Sequence, residues 1–553
     1  MVFATILRRC VLAVVFLLGV SSIASAQTVG DCDLGTAERD LDINDVQARV
    51  FNGGNLFYGN TTVAGDGYLV PKNTGRSPIF NMQLWVGGLV DGELRTAGVN
   101  SNRFEFWPGP LDDEGNPPDD CSRYDRIYVV SRGDVARYHE TGEATDDLRD
   151  WPVDLGAPVL DGDGVEGNYN LAGGDEPAIS GEQMAWWVMN DAGNVHEWTE
   201  TLPIGIEVRV EAFAKPSLEP AVDQATLYRY RIRYGGEQPL DSAYIALFTD
   251  VTLGDVSDNY IASDTVHHMA VGYNGEETDA VYGIPPAVGV QVLQGPVGLP
   301  NGRDDDEDGE VDEAGERLTM TSNTFCQEEP GPYDGTGNYN CMRGLSRRGD
   351  PIREGGGWIN GTGPVTRYMF PGDPVEGEFW SMENTDGEGS PASPSIAYVT
   401  PGTGPFRLEP GEETEFVFAI PFAQGADRLD SVVKLREAAR SLQNAYDLGL
   451  FEPQRVRPAP TEPPLPQDFA LRAFPNPFAS SAAVELTVAD GAGSLRLAVY
   501  DVLGREVAVL ADGVLAPGEY LFTLDGAELP AGIYFVRLET GRQTESLTLV
   551  HVE

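Results

Sequence analysis

The chain is 553 residues long, with 87 acidic and 37 basic side chains and a formal net charge of −50. That length exceeds one ordinary core, and a hydrophobic content of 41% excludes wholesale disorder. So acidic a surface repels phosphate backbones and anionic bilayers, which argues against nucleic acid and anionic membrane as partners.

In chain order, residues 1–26 read as a secretory signal peptide. Arg8 and Arg9 form its positive end, Val11–Val20 its apolar run, and Ala24-Ser25-Ala26 a small-residue cleavage site before Gln27. The run is too short to span a bilayer, and Cys10 lies inside it rather than at the cleavage point. No later segment approaches spanning length, so the mature chain is expected to be exported with no membrane span. The remaining cysteines, Cys32, Cys121, Cys326 and Cys341, are even in number, which in an oxidising compartment favours disulfides. Cys326 and Cys341 enclose a short Gly- and Pro-rich loop, leaving Cys32 with Cys121. None shows the close spacing of a zinc site.

Residues 27–451 form a β-rich passenger. Ile79–Gly87, Arg126–Arg132, Gly205–Phe213, Ala225–Tyr234 and Glu415–Phe422 are short apolar runs between Gly and Pro turn signals. They predict an all-β passenger of sandwiches, in two or more sub-domains. The exception is 427–448, where Leu429, Val432, Val433, Arg436, Ala439, Leu442 and Tyr446 recur at helical spacing and Gly449 stops the run. This helix is expected to cover the preceding strand. Residues 452–470 are rich in proline and read as a stiff linker.

The strongest chemical pattern is 301–313. Asp304, Asp306 and Asp308 alternate, so a loop can turn all three carboxylates onto one hard cation, with Gly309 allowing the turn. The Glu310 carbonyl can add an oxygen, and Asp312 or Glu313 can close the shell. The segment resembles the Asp-rich calcium loops of thrombospondin type 3 and dockerin-like repeats, although Gly315 stands where an EF-hand places its bidentate Glu. Calcium is therefore the expected cofactor. Asp161 and Asp163 with Asn168 and Asp175, and the set Asp250, Asp255, Asp258 and Asp264, read as oxygen-rich surface turns. Catalytic signatures are poor. His139, His196, His267, His268 and His551 form no zinc-protease motif, and there is no nucleophile elbow or phosphate loop. His267 and His268 sit in a strand-like stretch, so their rings are expected on opposite faces. Trp85, Trp107, Trp186, Trp187 and Trp198 could stack sugars but read as core packing.

From 471 to 553 the alternation is crisp, with Val484/Leu486/Val488, Leu495/Leu497/Val499, Val507/Val509, Tyr520/Phe522/Leu524 and Tyr534/Val536/Leu538. Six or seven strands there predict a small Ig-like β-sandwich. Four segments carry a resemblance: Ala473–Phe478 with Pro475-Asn476-Pro477, Val499–Val507 with Asp501 and Gly504, Leu515–Tyr520 with Gly518, and Ala531–Leu538 with Gly532. They resemble the type A C-terminal sorting domain of the type IX secretion system, although the final strand lacks the customary lysine. The resemblance implies passage to the periplasm and recognition by an outer-membrane translocon, followed by surface anchoring or release. Passenger segments such as Leu84-Trp85-Val86-Gly87-Gly88 and Ala185–Asp191 resemble an uncharacterised family of large secreted proteins, which supplies no activity. The expectation is a calcium-stabilised structural, adhesive or glycan-binding protein meeting an extracellular glycan or surface ligand. The alternative is a secreted hydrolase of polysaccharide or protein.

Overall fold

A computed structural model describes residues 29–552 apart from 59–66, 101–102, 301–303, 305–310, 312–314, 327–330, 356–360, 457–468, 475, 479, 489–493, 503, 527–528 and 541–543. The expected signal peptide lies outside the described residues. The longer passenger strands are β1 (Ile79–Val90), β2 (Gln183–Asn190), β3 (Ile206–Ala214), β4 (Ala225–Tyr234) and β5 (Leu240–Val251). They continue with β6 (Asn259–Asp264), β7 (Met269–Asn274), β8 (Ala287–Gln294), β9 (Ala397–Leu408) and β10 (Glu413–Ala423). Three helices matter below: α1 (Arg132–Thr141), α2 (Gly335–Met342) and α3 (Arg428–Asp447).

Two nine-stranded sheets face each other, one centred on β1, β5 and β9 and the other running β2, β3, β4, β10, β8, β7, β6. Between them lies a continuous core. Leu84 and Val86 of β1 and Ile245 and Leu247 of β5 meet Val208 of β3, Tyr228 of β4 and Phe418 of β10. The two sheets thus pack as a sandwich, because the same apolar cluster receives side chains from both.

The outer faces are covered as well. Trp85 of β1 and Phe248 of β5 pack with the Cys326–Cys341 disulfide and Met342 of α2. On the other side, Trp186, Leu227, Leu293 and Val417 pack against Leu442 and Ala445 of α3. Strands buried on both faces read as continuous apolar runs, which is why their alternation is blurred in the sequence.

Helix α3 forms within the stretch its periodicity marks. The Asp427 side chain accepts from the Leu429 and Asp430 amides, and Gly449 follows at φ 68°, a left-handed stop open to glycine. The run Arg126–Arg132 ends earlier than its alternation suggests. Ser131 and Asp134 form a capping box that starts α1 at Arg132, and such a box overrides a short alternating pattern.

The C-terminal module has seven strands: β11 (Phe469–Phe474), β12 (Ser481–Val488), β13 (Ser494–Asp501), β14 (Glu506–Val514), β15 (Gly518–Asp525), β16 (Gly532–Thr540) and β17 (Thr544–His551). One sheet runs β11-β12-β15 and the other β14-β13-β16-β17. Val484, Leu486, Leu497, Val499, Phe522, Val536 and Leu538 fill the space between. Val507 and Val509 face outward instead, while Ala508 and Leu510 pack inward. The cause is a slip in the β13–β14 register at Leu497/Ala498 and again at Val499/Tyr500, which changes the face a strand presents. The chain leading here is partly fastened down. Phe451 is buried, Glu452 pairs with Arg229 at 2.9 Å, and the Val456 amide donates to Glu176 at 3.1 Å.

Candidate functional site

The turn 265–268, strand β8, the segment 315–319 and the last turns of α3 enclose a cavity of about 560 Å³. That volume lies in the range of small-ligand sites. His267 and His268 both line it. They sit in the β6–β7 turn, not in a strand, and His268 has φ 49°, so the two-residue alternation of a strand does not apply. His267 is positioned by Asp264 at 3.0 Å, and Arg436 bonds that same carboxylate at 3.1 Å. Burial opposes ionisation of Asp264, yet the hydrogen bonds and charges of His267 and Arg436 hold its carboxyl below the usual range.

From β8, Gln291 reaches the cavity while only 2% exposed. Its Nε2 donates to the Ala439 carbonyl at 3.0 Å, and its Oε1 has no hydrogen-bond partner. A buried carbonyl oxygen left unpaired is costly, so a donor arriving in the cavity is favoured there. Nearby, the Tyr446 hydroxyl donates to Gln294 at 3.2 Å and Gln443 donates to Asp447 at 2.9 Å. Burial pushes the Asp447 carboxyl up against the pull of that Gln443 bond. Among the described residues that line the cavity Asp447 is the one acidic side chain, and Leu293 and Leu318 supply apolar wall.

These residues come from four separate segments, so no local motif announces them. The one signal available in the sequence was a pair of amides, Gln291 and Gln294, in an otherwise apolar strand.

The remaining candidates separate. Asp304 is half-buried, and Asp306, Asp308, Glu310, Asp312 and Glu313 lie outside the described residues. Asp161, Asp163 and Asp175 bring carboxylate oxygens within 4.8 Å of one another. Asp175 accepts from the Gly162, Asp163 and Asn170 amides, and these bonds, that from Gly162 foremost, hold its carboxyl below the usual range. Asp163 takes the side-chain amides of Asn168 and Asn170. The loop is thus folded around its own acids.

Asp250, Asp255, Asp258 and Asp264 do not converge. Asp264 serves His267, Asp255 accepts from Ser257, and Asp258 is pushed up to about 6 by burial, with Asp279 nearby. Asp250, in β5, is pushed up to about 7 by burial. All five tryptophans considered as a stacking platform are buried, so they are core. Trp107 and Trp198 also edge a smaller cavity of about 260 Å³ beside Cys32. Both expected disulfides are present, Cys32–Cys121 and Cys326–Cys341, with Cα atoms 5.5 and 5.9 Å apart.

In the C-terminal module the quoted segments make turns and locks. Asn476 donates to the Thr548 carbonyl at 2.7 Å and accepts from the Val550 amide at 2.9 Å. Phe478, buried, stacks on His551 with ring centres 4.7 Å apart, so this segment pins the last strand. Asp501 accepts from the Arg505 amide, and its own carbonyl accepts from Gly504. Gly504 sits at φ 74° and Gly518 at φ 156°, conformations that favour glycine. Gly532 opens β16, and the Tyr534 hydroxyl reaches back to the Pro530 carbonyl at 2.6 Å. Pro475 and Pro477 flank Asn476, and position 475 is outside the described residues. Residues 472–552 match the secretion system C-terminal sorting domain.

The tail is a type IX secretion sorting domain. The sorting domain places the protein at the cell surface or in the medium and implies contact with the secretion machinery. Among the described residues, no helix is long and apolar enough to cross a membrane. A search of curated proteins finds no match to the chain. A polysaccharide lyase of known structure superposes on 63% of this chain and 34% of its own length, at 10% identity and a TM-score of 0.18. The chain thus spans about a third of that structure, and so loose a likeness carries no argument about activity.

Proposed function

We propose that the exported passenger is a glycan-binding protein, displayed or released through its sorting domain and stabilised by calcium on the 301–313 loop. The observation that supports glycan binding most directly is the cavity under α3. Amide, guanidinium, imidazole and phenol groups crowd one space, and the Gln291 oxygen there lacks a donor. Sugars are recognised by such dense, fixed hydrogen-bonding groups on a partly apolar wall. A hydrolytic site for glycosides would need two carboxyl groups of opposed protonation, whereas among the described residues lining this cavity Asp447 is the one carboxyl.

Calcium is supported by the alternating Asp304, Asp306 and Asp308 followed by Gly309, since oxygen ligands at such spacing suit a hard cation and eight carboxylates repel without one. Two experiments test the reading. A glycan array probed with the mature protein should show retained ligands that Gln291→Leu weakens at least fivefold; an array blank for the wild type overturns glycan binding. Calorimetry should show calcium heat that vanishes in the Asp304→Ala/Asp306→Ala/Asp308→Ala variant; unchanged heat removes the metal from that loop.

A further inference from the structure

The charge of the cavity under α3 runs against that of the molecule. Acids outnumber bases by 87 to 37 over the whole chain, yet among the described residues Arg317, Arg440, His267 and His268 line this space against the one carboxyl of Asp447. Two of the chain's five histidines are gathered here. Burial favours the neutral form of Asp447, which lessens the opposing charge further.

The two arginines keep capacity for an incoming anion. Arg317 donates one Nη1 bond, to the Gly295 carbonyl at 3.2 Å. Arg440 stands 3.6 Å from Asp525 of the sorting domain, both side chains about half exposed, and pairs so exposed hold weakly. His267 is backed by Asp264, which orients the ring at the cavity wall. At the cavity floor stands the buried Gln291 Oε1, which accepts and cannot donate.

A fully deprotonated inorganic anion such as sulfate answers the arginines but has no donor for that oxygen. An uncharged sugar answers the oxygen but leaves the guanidinium groups with water. Resting on the glycan reading above, we infer that the cavity takes an acidic sugar, a glycan unit that carries a carboxylate or sulfate beside free hydroxyls. The anionic group lies against Arg317 and Arg440, where charge-assisted bonds are the strong ones, and a hydroxyl donates to Gln291.

Isothermal titration of the mature full chain with three probes of matched length tests this: an oligogalacturonate, its carboxyl-reduced neutral counterpart, and a sulfated galactan. One or both acidic probes should bind about tenfold to a hundredfold more tightly than the neutral one. Binding of only one identifies the anionic group as carboxylate or sulfate. The Arg317→Gln/Arg440→Gln variant should lose that preference, so that acidic and neutral probes bind it alike, and Gln291→Leu should weaken all three. Thermal melting confirms that both variants fold. If the neutral probe matches the acidic ones, or if the arginine variant keeps the preference, the acidic-sugar assignment falls while glycan binding stands. If no probe binds and the glycan array is also blank, the glycan reading itself fails.

Discussion

Asp250 lies in β5 opposite Asn81 and Tyr398, with its carboxyl pushed up to about 7 by burial from an ordinary value of 3.8. A carboxyl whose value is raised by folding binds its proton more tightly in the native state. Its contribution is therefore fully present below about pH 4 and is lost as the pH rises through about 7. Asp264 works in the opposite sense, since His267 and Arg436 favour its ionised form and that support fades in acid. In urea unfolding at pH 5 and pH 8, the advantage of Asp250→Asn over the wild type is expected to grow by about 2–3 kcal/mol from the lower to the higher pH. Parallel pH profiles for the two proteins would contradict the assignment. Little of this residue-scale chemistry was legible in the sequence, because an acid's environment is set by strands distant along the chain. His267 and His268 show the same limit: their spacing was read as a strand, and a positive φ in a turn decided otherwise. Gln291 leaves only an amide in an otherwise apolar strand as its mark in the sequence.

At the scale of elements the sequence was a better guide. Helix α3 was readable because its period, its Asp427 cap and its glycine stop agree. Leu442 is buried where α3 covers the sheet, so Leu442→Ala should destabilise the passenger by about 2–4 kcal/mol in denaturant. Asp427→Ala, which removes two cap bonds, should cost about 1 kcal/mol. The sorting module was also readable, since each short strand buries one face and turns sit between them. Its exception is β14, where a register slip that leaves no mark in the composition turned Val507 and Val509 outward. Asn476 ties β17 through two hydrogen bonds. Asn476→Ala should destabilise the isolated module by about 1–3 kcal/mol, seen as a lower melting temperature, with an unchanged melt arguing that the lock is dispensable.

For the whole molecule, two sheets share one core, and covering helices and a disulfide close the outer faces. Cys326 and Cys341 are 15 residues apart, and closing such a loop is worth about 3 kcal/mol in the chain-entropy model. Reduction, or Cys326→Ala/Cys341→Ala, should lower stability by that order. The sandwich class was legible from apolar runs and turns, but the strand order was not, because both sheets gather strands from distant parts of the chain. The export route was legible because the tail carries it in local turns. The most direct test is cell fractionation in a native-type host of full-length protein beside a version ending at residue 470. The account predicts that the full chain reaches the surface or medium while the shortened passenger, still folded, stays in the periplasm. Delivery of the shortened chain to the surface at full yield would contradict it.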